Sequence, residues 1–199
     1  MTQANGRTAE HPIAEVFLNR WSPRAFTGEE IPEETLLTFI EAARWSPSAF
    51  NMQPWRFIYA RRGTPQWERL FGILNAFNQS WAGNASALII VLSKTTGLPP
   101  GQTVPIPNVT HTFDAGAAWG ALALQATLSG WQAHGMVGID KAKAMTDLAV
   151  PADYVVEAAI AIGRVGDKAL LPEALRARET PSQRVPLREI AMEGSFQPR

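Results

Sequence analysis

The run Ala87-Leu88-Ile89-Ile90-Val91-Leu92 is the longest purely apolar stretch in the chain, and its length limits what it can be. A membrane-spanning helix needs ~20 such residues, so a run this short predicts a strand buried on both faces. Val155 to Ile162, closed by Gly163, has the same character and predicts a second buried strand. Between and around them the apolar spacing is helical. Pro12 to Arg20 carries Ile13, Val16 and Phe17 at helical intervals. Pro32 opens a clearer helix, with Glu33 and Glu34 complementing its positive end and Leu36, Leu37, Ile40 and Ala43 on one face, running to about Arg44. Trp67, Leu70, Phe71 and Leu74 predict a helix over Gln66 to Phe77, and Asp114 to Gln132 reads as a central buried helix whose small residues permit close packing.

The remaining segments complete an irregular order. Trp55 to Ala60 and Met136 to Ile139 are expected as strands and Lys141 to Leu148 as a helix. Thr95 to Asn108, dense in proline, is expected as a surface loop that could cover a site. Residues 1–11 are polar and expected to be flexible, and Asp167 to Arg199 reads as an extended arm with little core of its own. Strands and helices in this order favour one α+β domain over 1–199 rather than a regular doubly wound sheet.

Composition removes several classes of function. The chain has 199 residues, with 18 basic against 18 acidic side chains, so nothing in the balance draws it to nucleic acid. It has no cysteine, hence no disulfide, thiolate metal site or cysteine nucleophile. His11, His111 and His134 lack metal-ligand spacing, so no metal is expected. No run predicts a membrane span or a signal peptide, and a cytoplasmic address follows by default. The sequence contains no G-x-G-x-x-G after a strand, no P-loop and no G-x-S-x-G.

Three segments carry chemistry. Arg20-Trp21-Ser22-Pro23-Arg24-Ala25-Phe26 sets two guanidinium groups and a hydroxyl close together, a pattern suited to a phosphate because arginine forks bind its oxygens bidentately. Taken alone, a solvated basic helix end is the commoner reading. Ser46-Pro47-Ser48-Ala49-Phe50-Asn51-Met52-Gln53-Pro54-Trp55-Arg56-Phe57 is dense in amides and hydroxyls between prolines, which would let Ser48 and Asn51 face a planar heterocycle at low entropic cost. An ordinary polar loop fits it as well. The third segment is split between His134-Gly135-Met136-Val137-Gly138, where glycines permit backbone approach to a flat ligand, and Pro181 to Leu187, where Arg184 could complete a phosphate site.

The order and content of these segments resemble the nitroreductase family of FMN-dependent oxidoreductases. R-x-S-x-R-x-F at Arg20, P-S-x-x-N-x-Q-P-W-x-F at Pro47, G-x-x-G-D at Gly163 and the closing L-P and R-x-P-L occur in sequence from about Ile13 to Ile190. The resemblance implies an α/β sandwich with a central, mostly antiparallel sheet flanked by helices, and a C-terminal arm exchanged in a homodimer. It implies FMN as cofactor, with Arg20, Ser22 and Arg184 on its phosphate and Trp21 beside them. Arg24 would reach the pyrimidine edge of the isoalloxazine, where a cation stabilises negative charge. Pro47, Ser48, Ala49 and Asn51 would come from the other subunit. Asn78, with Asn75 as rival, would contact the ring, and Gly135, Met136, Val137 and Gly138 would form the turn beside it.

The implied activity is ping-pong transfer from NADH or NADPH to a small-molecule acceptor such as a nitroaromatic or quinone, with no side chain required as catalytic acid or base. Reductive dehalogenation or flavin fragmentation is the alternative within the family, and a non-enzymatic flavin-binding dimer the alternative outside it.

Overall fold

A computed structural model describes residues 2–196. Its centre is a four-stranded sheet in which Trp55–Arg61 pairs with Ala87–Lys94, that with Tyr154–Gly163, and that with Gln132–Met136, every pairing antiparallel. In chain order the elements are β1 (Gln3–Ala4), β2 (Arg7–Thr8), α1 (Val16–Asn19), α2 (Glu33–Arg44), β3 (Trp55–Arg61), α3 (Trp67–Phe71), α4 (Ala76–Ala82), β4 (Ala87–Lys94), β5 (Thr96–Gly97), β6 (Ile106–Pro107), α5 (His111–Leu128), β7 (Gln132–Met136), α6 (Lys141–Asp147), β8 (Tyr154–Gly163) and α7 (Glu173–Arg176). The expected α+β class and antiparallel sheet are therefore present.

The apolar run in β4 is buried on both faces because the pleat sends alternate residues to opposite sides. Leu88, Ile90 and Leu92 enter a core with Phe26, Trp67, Leu70 and Trp81, while Ala87, Ile89 and Val91 meet α2 and α5 through Leu36, Phe39, Ala118 and Leu122. The sheet is thus sandwiched between two helical layers. Opposite Val91 and Leu92 the register slips, so that β8 pairs Ala158 and then Val156 and leaves Glu157 as the extra residue of a bulge. No helix of the described residues is long and apolar enough to cross a membrane.

Several segments differ from the sequence expectation; the first helix is only Val16–Asn19, and the central helix runs His111–Leu128, with Gln132 opening β7. Residues 3–8, inside the stretch expected to be flexible, form the β1–β2 hairpin, turning at Asn5 and Gly6 with φ of 54° and 69°. Two consecutive positive-φ residues between short strands are what an Asn-Gly hairpin turn requires. The helix expected over 66–77 is two: Leu74 leaves helical geometry to bridge Ile139, and Asn75 caps α4 by accepting from Asn78 N at 2.9 Å. The strand expected at 136–139 lies earlier, at Gln132–Met136, where it pairs with β8. The loop 95–108 contains the paired β5 and β6, and Gly97 lies against the Met52 side chain, whose sulfur would have to move to admit a Cβ there.

The C-terminal segment folds back onto its own chain. Gly166 N donates to Ala25 O at 2.8 Å, Gln183 Nε2 to Gly6 O at 3.1 Å, and Leu187 N to Glu10 Oε1 at 2.8 Å.

Candidate active site

The turn after α1 leads straight into Arg20–Phe26, and that loop is fixed at both ends. At its start Arg7 Nη1, from β2, donates to Leu18 O and Arg20 O at 2.9 and 2.8 Å. At its end Phe26 bridges Val165 beyond β8, and Thr27 N donates to Arg164 O at 3.0 Å. In the middle the Glu179 carboxylate, only 7% exposed, accepts from Arg24 N and Ala25 N at 2.6 and 2.8 Å. A charged acceptor on two backbone donors is among the stronger hydrogen-bond arrangements a protein makes.

The cavity so built has a volume of about 360 Å³. Arg20, Trp21, Ser22, Arg24 and Arg184 all line it, so the structure gathers these five sequence candidates in one place. It adds residues the sequence did not single out: Arg7, His134, Arg178, Thr180 and Ser182. Arg20 Nη1 lies 3.4 Å from Ser22 Oγ, and Arg184 Nη1 is held by Ser182 Oγ at 3.0 Å.

Five guanidinium groups around one cavity repel one another. The Arg20 guanidinium is held below the usual arginine range by burial and then by Arg184, and Arg7 by burial, Arg184 and Arg20. Arg24 is lowered by burial and by Arg178, with Glu179 opposing at 4.0 Å. Buried atoms without a hydrogen-bond partner include Arg7 Nε and Arg24 Nε. Such an arrangement costs free energy until an anion with several acceptor oxygens enters.

Beside the cavity His134 Nδ1 lies 2.8 Å from Pro23 O, and its ring centroid is 4.7 Å from that of Trp81, over which Arg24 Cζ sits at 5.9 Å. Burial pushes the His134 imidazolium down, the Pro23 carbonyl opposes, and Arg24 adds to the lowering. The ring is therefore favoured neutral, donating from Nδ1.

Asn78 and Gly138 meet nearby in the fold. Asn78 Nδ2 donates to Gly138 O at 2.9 Å, and Asn75 N donates to the same carbonyl at 3.0 Å. A Cβ on Gly138 would come within 2.6 Å of Asn75 Nδ2 and 2.7 Å of Asn78 Nδ2, which explains the glycine. Asn75 serves as a helix cap. Val137 points outward and is exposed, Met136 is buried in the core, and Gly135 packs against Trp119.

Pro47, Ser48, Ala49 and Asn51 do not line the arginine cavity. Their loop sits against the start of α5, with Ala49 N donating to buried Asp114 Oδ2 at 3.3 Å and Gln53 N to Ser48 Oγ at 3.0 Å. Phe50, Asn51 and Gln53 have φ of 51°, 53° and 46°. For Phe and Gln that conformation costs about 1–2 kcal/mol each, and strain of this kind concentrates where a backbone shape is needed for function. The same end of α5 is anchored by the bulge residue Glu157, which accepts from Ser93 Oγ and from Thr112 Oγ1, with His111 Nδ1 2.7 Å from Ser93 Oγ.

The Nitroreductase family model matches residues 18–74. A solved structure described as an oxidoreductase containing FMN is 48% identical, with a TM-score of 0.95 and full coverage of both chains. The CLA biosynthesis enone reductase of Lactiplantibacillus plantarum is 26% identical over 85% of this chain and 93% of its own. A Thermus thermophilus NADH dehydrogenase is 24% identical over 88% of this chain and 92% of its own.

Proposed function

Because the chain belongs to the nitroreductase family, we propose that it is an NAD(P)H-dependent FMN oxidoreductase acting on a small organic acceptor such as a nitroaromatic, quinone or enone. The observation that carries the reading is the gathering of Arg20, Ser22 and Arg184 in a cavity where Arg7 Nε and Arg24 Nε are buried without partners. That donor set fits the dianionic phosphate of FMN. FMN, when bound, supplies the two-electron chemistry between a reduced nicotinamide and the acceptor.

The protein's own residues position and polarise. Arg20, Ser22 and Arg184 hold the phosphate. Arg24, whose backbone is clamped by Glu179 and whose side chain lies over Trp81, brings a fixed positive charge to the pyrimidine edge. Asn78 and the Gly138 carbonyl are joined by a hydrogen bond and would meet the ring together. Because Pro47–Asn51 lies outside the arginine cavity, a second copy would contribute that loop to complete each site.

The outer face of α5 supports such a homodimer. Phe113 is 80% exposed and Leu128 68%, while Gly116 and Gly120 between them have open space where a Cβ would stand. Turnover is then of ping-pong type, the nicotinamide leaving before the acceptor enters. The first test is the visible absorption spectrum of the purified protein, with the chromophore released by heat and identified. Flavin bands with released FMN, bleached by NADH or NADPH and restored by a quinone, are expected. A colourless protein that takes up no added FMN would remove the proposal.

A further inference from the structure

The N-terminal hairpin contributes an arginine to the anion cavity, and that arginine has more capacity than its structural contacts use. Arg7 is 7% exposed. Its Nη1 is committed to the carbonyls of Leu18 and Arg20, but its Nε is buried with no hydrogen-bond partner. It lines the same cavity as Arg20, Ser22 and Arg184, and among the described residues no carboxylate bonds to it. A buried cation paired only with neutral carbonyls is poorly compensated, and here it also stands against two like charges.

A dianion among Arg7, Arg20 and Arg184 would relieve both penalties together. We propose that Arg7 is a further phosphate-binding and positioning residue, which holds the Arg20 loop in shape through two carbonyls and adds a third positive charge to the anion it receives. This rests on the FMN reading above for the identity of the ligand, and the residue was unforeseen because it lies outside the Arg20–Phe26 motif. The hairpin exists to deliver it: Asn5 and Gly6 reverse the chain so that Arg7 turns inward, and Asn5 Nδ2 reaches Asn19 O at 3.3 Å.

A role toward the phosphate and a merely structural role separate when two ligands differing only in that group are compared. FMN and riboflavin are titrated into the flavin-free full-length protein, wild type and Arg7→Gln, by flavin fluorescence. Glutamine keeps an amide donor for the loop carbonyls and removes the charge. The expected result is about a 10- to 100-fold loss of FMN affinity, with riboflavin affinity altered by less than about twofold. Equal losses for both ligands would overturn the proposal, leaving Arg7 a post for α1.

Arg7→Lys restores the charge and is expected to recover most of the FMN preference; a lysine variant as poor as the glutamine one also counts against it. Wild-type protein that takes up neither flavin would defeat the FMN reading alone. Inorganic phosphate then decides Arg7: a rise in melting temperature with phosphate that Arg7→Gln abolishes supports the residue's role, and an equal response in both proteins refutes it.

Discussion

Replacing Glu179 by alanine should loosen the whole anion site from one point. Its Oε1 accepts from Arg24 N and Ala25 N, and the side chain that brings it there is buried. Hydrogen bonds to charged groups contribute about 1.5–3 kcal/mol each, so the two together bound the effect at about 3–6 kcal/mol. Water admitted to the vacated space recovers part, which sets the expectation at about 3–5 kcal/mol. For a chain of this size that is a fall in Tm of about 6–20 °C.

Glu179→Gln retains an acceptor oxygen of the same reach but no charge, and should lose only about 1–2 kcal/mol. Urea unfolding followed by tryptophan fluorescence, at one fixed protein concentration because association would shift the midpoint, measures both. An alanine variant within about 1 kcal/mol of wild type, or a glutamine variant as unstable as the alanine one, would refute the hydrogen-bond account.

Three further outcomes are expected. Ala149 has φ of 51° directly after α6, where Val150 N closes back on Met145 O at 3.0 Å; Ala149→Gly should stabilise the protein by about 0.5–1 kcal/mol in the same unfolding assay, since glycine takes that conformation freely. His134 is pushed below its ordinary value of 6.5 by burial, so the unfolded chain binds the proton first. Its contribution is complete above pH 6.5 and is lost as pH falls below it; His134→Asn, which keeps a donor for Pro23 O, should flatten stability measured between about pH 7 and pH 5. Phe113→Glu on the exposed face of α5 should weaken self-association about 100-fold or more by light scattering while leaving the monomer folded, and a variant that remains dimeric would remove Phe113 from the proposed interface.

What could be read beforehand was whatever a short stretch of chain decides. Ala87–Leu92 read as a buried strand because six apolar residues, three of them β-branched, are closed on both sides by serine and are too few for a typical helix, and α5 announced itself by length and small residues. Arg20, Ser22 and Arg24 fell within a single loop, so their proximity was local. Arg7 and Glu179 were invisible as site residues because their partners are backbone atoms far along the chain. The Asn5-Gly6 pair was the available signal for the hairpin that carries Arg7. The break before α4 was hidden because Trp67, Leu70, Phe71 and Leu74 keep helical spacing across it; a bridge to Ile139, supplied by tertiary structure, overrode that periodicity. Asn78 owes its position to the same break, since Asn75 must cap the helix that presents it.

The anion cavity joins segments far apart in sequence: Arg7 lies in the first hairpin, Arg184 beyond β8, and Gln183 reaches across to Gly6 O. The pocket cannot be assembled until residues on both sides of the central sheet have been made and packed, so a phosphate-bearing cofactor would be captured only after the sheet that joins them has formed. Once seated, it would act as a clasp on the loop of chain between Arg7 and Arg184. Because closure entropy grows only with the logarithm of loop length, holding such distant segments costs little more than holding near ones. Filling the clasp would hold the segments around Arg7 and Arg184 against local opening, and emptying it would leave them to open with the surrounding surface.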